Sequence, residues 1–291
     1  MTRAADWRPQ AAALISICLW ASAFVGIRAV TREIDPGALA LGRLTIGTVV
    51  LGVLMLGRGI VRPTLREGAL LVLTGVLWFG IYNVALNTAE RTLDAGTAAM
   101  ITNLAPILVM VLAWIFLRER LTTALIAGGL IAFAGIIVIG LSTTARSTSP
   151  VGVLLCFLAT AAAAAGLVAQ KPVLARLPAL QVTWTCCLVG ALCCAAYAPT
   201  LVHDVRRASI ANVAGLLYLG VFPTSVAFTS WAYALARIPA SRLTMLVYLV
   251  PLIAISISWI VLGEVPPAMS VVGGALCLGG VVIARRRPAL P

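Results

Sequence analysis

One apolar run, residues 67–89, carries side chains that could bind a small molecule. Aromatic rings and amides recur on one helical face at three- and four-residue steps, as Trp78, Tyr82, Asn83 and Asn87. Aromatic walls with a few convergent amides suit a small, partly apolar ligand. In hydrocarbon each amide needs a partner, which is either a neighbouring helix or water and ligand in a cavity. The mid-run position of Trp78 and Tyr82 favours the cavity over an interfacial aromatic belt.

Two prolines predict breaks in further helices. Pro106 and Pro251 occupy equivalent mid-helix positions, where each removes a hydrogen bond to the carbonyl four residues earlier and kinks its helix. Asn103 and Tyr248 lie three residues before them, so a freed carbonyl and a polar side chain are expected together at both places. Discontinuous helices of this kind often form binding sites and hinges in membrane proteins. The alternative is a purely structural kink.

Small polar side chains lie on a third helix. Ser225 and Thr229 share one face of the run 210–236, with Phe228 and Trp231 on the neighbouring face. This combination adds hydroxyl groups and further aromatic rings to the candidate binding residues.

The first two runs add one small polar residue and one charge. Ser22 belongs to a series of small residues at four-residue steps, a groove that suits helix packing or the close approach of a ligand. Arg43 is the only charge well inside an apolar run. It either extends to the membrane surface, pairs with Glu90 or Asp94, or receives a substrate carboxylate.

Composition sets the environment of these residues. Of the 291 residues, 62% are hydrophobic and 10% are charged, whereas soluble domains are about 45–50% apolar and about 25% charged. This excludes soluble enzymes, nucleic-acid-binding proteins and disordered chains, and it leaves a polytopic all-α membrane protein. The net charge of +12 comes mainly from arginines scattered between apolar runs, which indicates topology signals and not a nucleic-acid surface.

The apolar runs lack the residue patterns that metal binding, proton or sodium relays and catalysis require. The seven cysteines lack metal-ligand spacing and are interpreted as small packing residues, so neither a metal nor a cofactor is predicted. All nine Asp and Glu residues lie at the ends of runs or between them, which leaves no carboxylate for a proton or sodium relay at mid-membrane depth. An intramembrane enzyme would need a nucleophile with a base, paired carboxylates or metal ligands, so that class of function is disfavoured.

The apolar runs predict ten membrane-spanning helices. Their approximate ranges are 11–30, 36–57, 67–89, 95–117, 122–141, 150–170, 179–201, 210–236, 239–262 and 268–284. A shift of 145 residues lays the second half of the chain on the first without a gap, which indicates an internal duplication. The matched pairs include Gly75 and Gly220, Pro106 and Pro251, Trp114 and Trp259, Glu119 and Glu264, Gly128 and Gly273, and Gly135 and Gly280.

This repeat predicts the architecture. The halves 1–145 and 146–291 hold five spans each, and an odd number places them in opposite orientations, as two inverted repeats around a central cavity. Removing the first run as a cleaved signal peptide would break this parity, so it is retained as a helix. Basic residues number 14 on one side and 6 on the other, which predicts that both termini are cytoplasmic.

The motifs resemble a known family. LWASAFVGIRAV in the first run, Arg43, Pro106 and the ERL that begins at Glu119 are similar to the EamA type of the drug/metabolite transporter superfamily, and YLVPLIAISISWIVLGE repeats the pattern. The resemblance covers essentially the whole chain and is greatest to bacterial exporters of amino acids, including aromatic ones. It implies alternating access and a cavity lined mainly by helices 1, 3, 4, 6, 8 and 9. Trp20 and Ser22 of the first helix therefore join the candidates.

We therefore expect a secondary transporter of the bacterial inner membrane that exports small neutral or zwitterionic metabolites, above all amino acids, as a facilitator or exchanger. A sugar-phosphate or nucleotide-sugar exchanger is the alternative within the superfamily, but it would need two or more cations in the cavity, and only Arg43 and Lys171 are available. A structural or receptor role fits inverted repeats with matched prolines poorly. The substrate-binding candidates are Trp20, Ser22, Trp78, Tyr82, Asn83, Asn87, Asn103, Ser225, Thr229 and Tyr248.

Overall fold

The computed structural model of the chain describes residues 7–89, 91, 93, 101–141, 149–253, 256 and 268–284. These residues form helices and short connections, and no strand occurs among them. One helix lies in each of the ten predicted spans. They are α1 Arg8–Val30, α2 Pro36–Met55, α3 Leu65–Ala89, α4 Ala105–Leu117, α5 Thr123–Leu141, α6 Pro150–Val173, α7 in two parts (Ala179–Cys193 and Ala198–Arg207), α8 Ile210–Leu235, α9 Ala240–Ile253 and α10 Ala268–Ala284.

Five of these helices are long and apolar enough to cross a membrane: α2, α3, α5, α6 and α8. The first part of α7 and the segment Ala195–Arg207, which contains the second part, meet at a bend of 59° and would make a sixth crossing if they form one broken span. The described parts of α4, α9 and α10 are shorter apolar helices. The all-helical membrane fold is therefore confirmed, and the number of ten crossings stays a prediction.

Within the described part of the chain, two helices contain a π-helical segment, which the sequence analysis did not predict. In α3 it covers Gly75–Ile81, and in α8 it covers Gly220–Val226. The two segments are 145 residues apart, so they occupy equivalent positions of the repeat. Pro223 lies inside the second segment, where its missing N–H interrupts the ordinary ladder. Such insertions into α-helices are rare and frequently lie at functional sites.

The contacts divide the chain into two compact units that do not follow the sequence repeat. The first contains Met1–Val76 and Ala169–Pro239, and the second contains Leu77–Val168 and Ala240–Pro291. Each unit therefore draws helices from both halves of the duplication. In the first unit, α2 packs against α7 and against the π-helical segment of α8, while α1 packs along α8.

In the second unit, the equivalent helices α5 and α10 cross each other at glycines. A Cβ atom on Gly135 would lie 2.5 Å from the carbonyl oxygen of Gly273, and one on Gly280 would lie 2.5 Å from that of Gly128. Backbones can approach this closely because glycine has no side chain. Since Gly128 meets Gly280 while Gly135 meets Gly273, the two helices run antiparallel, as an inverted repeat requires.

Candidate substrate-binding site

The first unit contains an aromatic cluster between α1 and α8. The ring of Trp20 lies 5.3 Å from that of Phe228 in an edge-to-face arrangement and 5.0 Å from that of Trp231. Trp231 is only 1% exposed, and its indole N–H has no hydrogen-bond acceptor within the described part of the chain. A buried donor of this kind favours binding of an acceptor such as a carboxylate oxygen.

The hydroxyl groups predicted on α1 and α8 have different partners. Ser225 donates to the carbonyl of Gly220 at 2.9 Å, five residues earlier, so its hydroxyl already has a partner within the π-helical segment. Ser22 donates to the carbonyl of Leu19 at 2.8 Å and lies 2.6 Å from the Tyr218 hydroxyl. The hydroxyl of Thr229 is buried and has no partner among the described residues. Thr229 is therefore the most available of the three for a ligand.

Arg43 is buried in the first unit and does not extend to a surface. The residue is 6% exposed, and its Nε donates to the Thr224 hydroxyl at 3.4 Å. Thr224 in turn donates to the carbonyl of Leu219 at 2.8 Å, inside the π-helical part of α8. Of the three alternatives for Arg43, this burial argues against extension to the membrane surface, and the suggested partners Glu90 and Asp94 lie outside the described residues.

The second unit contains most of the α3 stripe. Trp78, Asn83 and Asn87 are buried, and Tyr82 is half-buried. The Asn83 amide donates to the carbonyls of Phe79 at 2.8 Å and of Trp78 at 3.4 Å. The sequence predicted a partner on another helix or in a cavity. The π-helical turn instead presents carbonyls of the same helix, because it shifts the backbone pairing from the fourth to the fifth residue.

Trp78 also has a packing role within this unit. A Cβ atom on Gly166 of α6 would lie 2.7 Å from the Cβ of Trp78, so the backbone of α6 runs directly against this residue. The Trp78 ring is 5.9 Å from the ring of Phe79 in an edge-to-face arrangement. No sequence pattern indicated this contact, since it depends on how α6 packs.

Both prolines follow an irregular stretch of backbone. Residues 103–104 form a turn, and Pro106 lies in the first turn of α4. The predicted mid-helix position is therefore wrong, because a residue without an N–H fits the first turn, where that group has no helical partner. In α9 the segment Met245–Leu249 is a 3₁₀-helix, and Pro251 follows it.

The polar residues before these prolines are both buried. Asn103 is 7% exposed and lies in the turn that precedes α4. Tyr248 is fully buried in the 3₁₀ segment, and its hydroxyl has no partner among the described residues. Irregular backbone and a buried polar side chain thus occur together before both prolines.

Glu119 caps a neighbouring helix in the second unit. Its carboxylate accepts hydrogen bonds from the backbone N–H of Ala240 at 2.7 Å, from that of Ser241 at 3.0 Å and from the Ser241 hydroxyl. These donors are the unpaired N–H groups that begin α9. Arg118 ends α4 in the left-handed conformation with φ 55°, which turns the chain so that Glu119 faces α9. The sequence contained the ERL motif but did not indicate this partner.

Lys171, the second cation considered for an anionic substrate, caps the C-terminal end of α8. Its ammonium group donates to the carbonyls of Leu235 and, at 2.7 Å, of Ile238. Cations are favourable there because helix C-terminal carbonyls carry partial negative charge. Among the described residues, no three His, Cys, Asp or Glu side chains are arranged to hold a metal ion.

These features define a class of protein. A membrane-embedded all-helical chain with an internal duplication, antiparallel equivalent helices and matched helix breaks has the architecture of a secondary transporter. The EamA-like transporter family matches residues 8–141 and again residues 150–286, so the chain belongs to this family.

Similar proteins support this assignment. A protein of Streptantibioticus cattleyicolor named "Probable terminal-alkyne amino-acid exporter" is 37% identical over 95% of this chain and 93% of its own. The uncharacterized transporter YdfC of Bacillus subtilis is 31% identical over 92% of this chain and 87% of its own. One solved crystal structure has the same fold, with a TM-score of 0.78 at 22% identity over 95% of this chain and 96% of the other.

Proposed function

We propose that this transporter exports zwitterionic amino acids with apolar or aromatic side chains across the bacterial cytoplasmic membrane, with both termini in the cytoplasm. The observation that carries the proposal is the similarity along nearly the whole chain to a protein named as an amino-acid exporter. The family and these relatives are transporters, and we infer that the chain acts as a carrier and not as an enzyme.

The side chains of each unit support an amino-acid substrate. The first unit offers the rings of Trp20 and Trp231, the buried indole N–H of Trp231 and the hydroxyl of Thr229. The second unit offers the hydroxyl of Tyr248, and the amide of Asn87 is a further buried polar group there. Such groups suit an amino acid with an apolar or aromatic side chain. Its carboxylate can accept hydrogen bonds from these donors, and its ammonium group can donate to amide oxygens or lie over an aromatic ring.

The contacts of the two cations weigh against phosphorylated substrates. A sugar phosphate carries about two negative charges near neutral pH, and its binding favours two or more cations with free donors. Lys171 is bound to two helix-end carbonyls, and the Nε of Arg43 is bound to Thr224. Using them for a phosphate would remove these hydrogen bonds and leave the carbonyls without the ammonium donor, so we rank the exchanger of phosphorylated sugars lower.

We propose that the transporter works by alternating access and that its helices bend where their backbone is irregular. The π-helical segments of α3 and α8 and the breaks before Pro106 and Pro251 are the places where the helices depart from regular geometry. Bending at such points needs fewer broken hydrogen bonds than bending of a regular helix. With no carboxylate at mid-membrane depth in the sequence, we infer transport down the substrate gradient.

Purified protein in liposomes tests the substrate class. Vesicles loaded with unlabelled phenylalanine should take up labelled phenylalanine by counterflow, and external threonine or leucine should compete. Hexose phosphates and nucleotide sugars should neither compete nor exchange. Exchange of phosphorylated sugars without amino-acid flux would refute the proposal.

A further inference from the structure

The first unit contains an apolar groove on its surface, and none of the groove's lining residues belongs to the aromatic cluster. Its volume is about 380 Å³, which is in the range of small-ligand sites. The groove lies between α2, the second part of α7 and the first half of α8. Its lining residues are Gly42, Thr45, Ile46, Leu201, Val202, Val205, Arg206 and Leu216.

The wall of the groove that α7 supplies is an amphipathic helix. After the 59° bend, Ala198–Arg207 places Leu201, Val202 and Val205 along the groove and ends in Arg206 and Arg207. A short helix of this kind, set at an angle to a spanning helix, is typical of the membrane interface. Leu201 and Val205 pack in part against the core formed by α1, α2 and α8, while Val202 is exposed and the basic end of the helix would adjoin headgroups.

Arg206 is exposed and makes no hydrogen bond or ion pair with any other described residue. Neighbouring carboxylates are used by backbone groups. Glu33 accepts from the Ser209 N–H at 2.7 Å, and Asp204 accepts from the Asp35 N–H at 2.9 Å. Hydrogen bonds from Asn212 and Ser209 lower the pKa of Glu33. These carboxylates keep their charge, but none of them forms an ion pair with Arg206, so its guanidinium can bind an external anion.

The topology adds a second argument. On the predicted orientation, Arg206 and Arg207 lie on the outer side, where basic residues are few. A pair of arginines there opposes the usual bias of membrane proteins, which is understandable if the pair has a binding role. A guanidinium at the membrane surface can hold a lipid phosphate through paired, charge-assisted hydrogen bonds.

We propose that this groove is a binding site for one anionic phospholipid. An acyl chain lies against Leu201, Val205 and Leu216, and the phosphate is held by Arg206. Bound in this way, the lipid links the second part of α7 to α2 and stabilises the bend.

Thermal unfolding in a neutral detergent tests the proposal. Phosphatidylglycerol should raise the unfolding temperature of the parent by about 5 °C more than phosphatidylcholine of the same chains. Arg206→Gln should weaken the phosphatidylglycerol effect about fivefold in apparent affinity. Arg58→Gln, an exposed arginine in another connection, is the matched control and should keep the full effect.

A second variant and a soluble probe separate the parts of the lipid. Thr45 is exposed at the mouth, so Thr45→Phe fills the acyl groove from the outside and should reduce stabilisation by both lipids. Glycerol phosphate without acyl chains should not stabilise the protein. Equal effects of the two lipids on the parent, full phosphatidylglycerol selectivity in Arg206→Gln, or stabilisation by glycerol phosphate alone would each overturn the proposal.

Discussion

The thiol of Cys277 donates a hydrogen bond of 3.3 Å to the carbonyl oxygen of Ala132. These residues are 145 positions apart, so each is the equivalent of the other in the repeat. In an arrangement with two-fold symmetry, a residue meets its own equivalent only at the axis. The local two-fold axis relating α5 and α10 therefore passes near this contact, with the glycine crossings of Gly128 with Gly280 and of Gly135 with Gly273 on either side.

Gly135→Leu is expected to destabilise the protein strongly. The new side chain would meet the backbone of α10 at Gly273 and Cys277, and backbone atoms cannot move aside as a flexible side chain does. Overpacking of a core typically costs about 1–3 kcal/mol, and we expect at least the upper value here. Gly279→Leu is the control, because nothing lies within 4 Å of a Cβ atom there. Equal unfolding temperatures of the two variants would contradict the close crossing.

Glu119→Ala is expected to loosen the start of α9. The substitution removes the acceptor of two backbone N–H groups, and loss of a helix cap costs about 0.5–2 kcal/mol. Thermal unfolding should show a lower midpoint, and Glu119→Gln should lose less because one carbonyl oxygen can still accept. A Glu119→Ala protein as stable as the parent would show that the cap has no energetic role.

Pro106→Ala and Pro251→Ala are expected to fold and to transport more slowly. Each restores a backbone N–H next to an irregular segment and favours a regular helix. A barrier raised by about 1.4 kcal/mol slows flux tenfold. Pro150→Ala, at the first residue of α6, is the control and should keep the parent rate. If both variants move substrate as fast as the parent, the breaks are structural only.

Trp231→Phe is expected to weaken substrate binding without destabilising the fold. The ring packing against Trp20 is largely kept, while a buried N–H without a described acceptor is removed. Loss of one hydrogen bond to a substrate carboxylate should raise the KM about 5- to 30-fold, from about 1–2 kcal/mol. Trp114→Phe, at an exposed indole, should leave the KM unchanged. An unchanged KM in Trp231→Phe would show that this N–H does not bind the substrate.

Hydropathy and internal repetition predicted the positions of the helices well. Each predicted span contains a helix, because long apolar runs are local features of a membrane sequence. The end of α7 was missed. The run 179–201 ends inside the second part of this helix, which continues to Arg207 after a bend near Cys194. Its amphipathic pattern was visible in the sequence but is too polar for a spanning segment.

The details of the candidate site were less predictable. A π-helical segment adds a single residue to a turn, which a pattern of three- and four-residue steps does not register. The match of Gly75 with Gly220, and Pro223 within the second segment, were the available signals. The hydrogen-bond partner of Asn83 depends on that turn. The sequence could therefore identify the amide as a candidate but could not identify the carbonyls that accept its hydrogen bonds.

Counterflow and net uptake of labelled phenylalanine in liposomes test the central claim most directly. The pH and the sodium concentration are equal on both sides, and the amino acid supplies the only gradient. The account predicts uptake that saturates, that is accelerated by unlabelled phenylalanine inside, and that is unchanged by an added proton or sodium gradient. Uptake that appears only when such a gradient is imposed would contradict transport down the substrate gradient. Absence of amino-acid flux under every condition would contradict the proposed function itself.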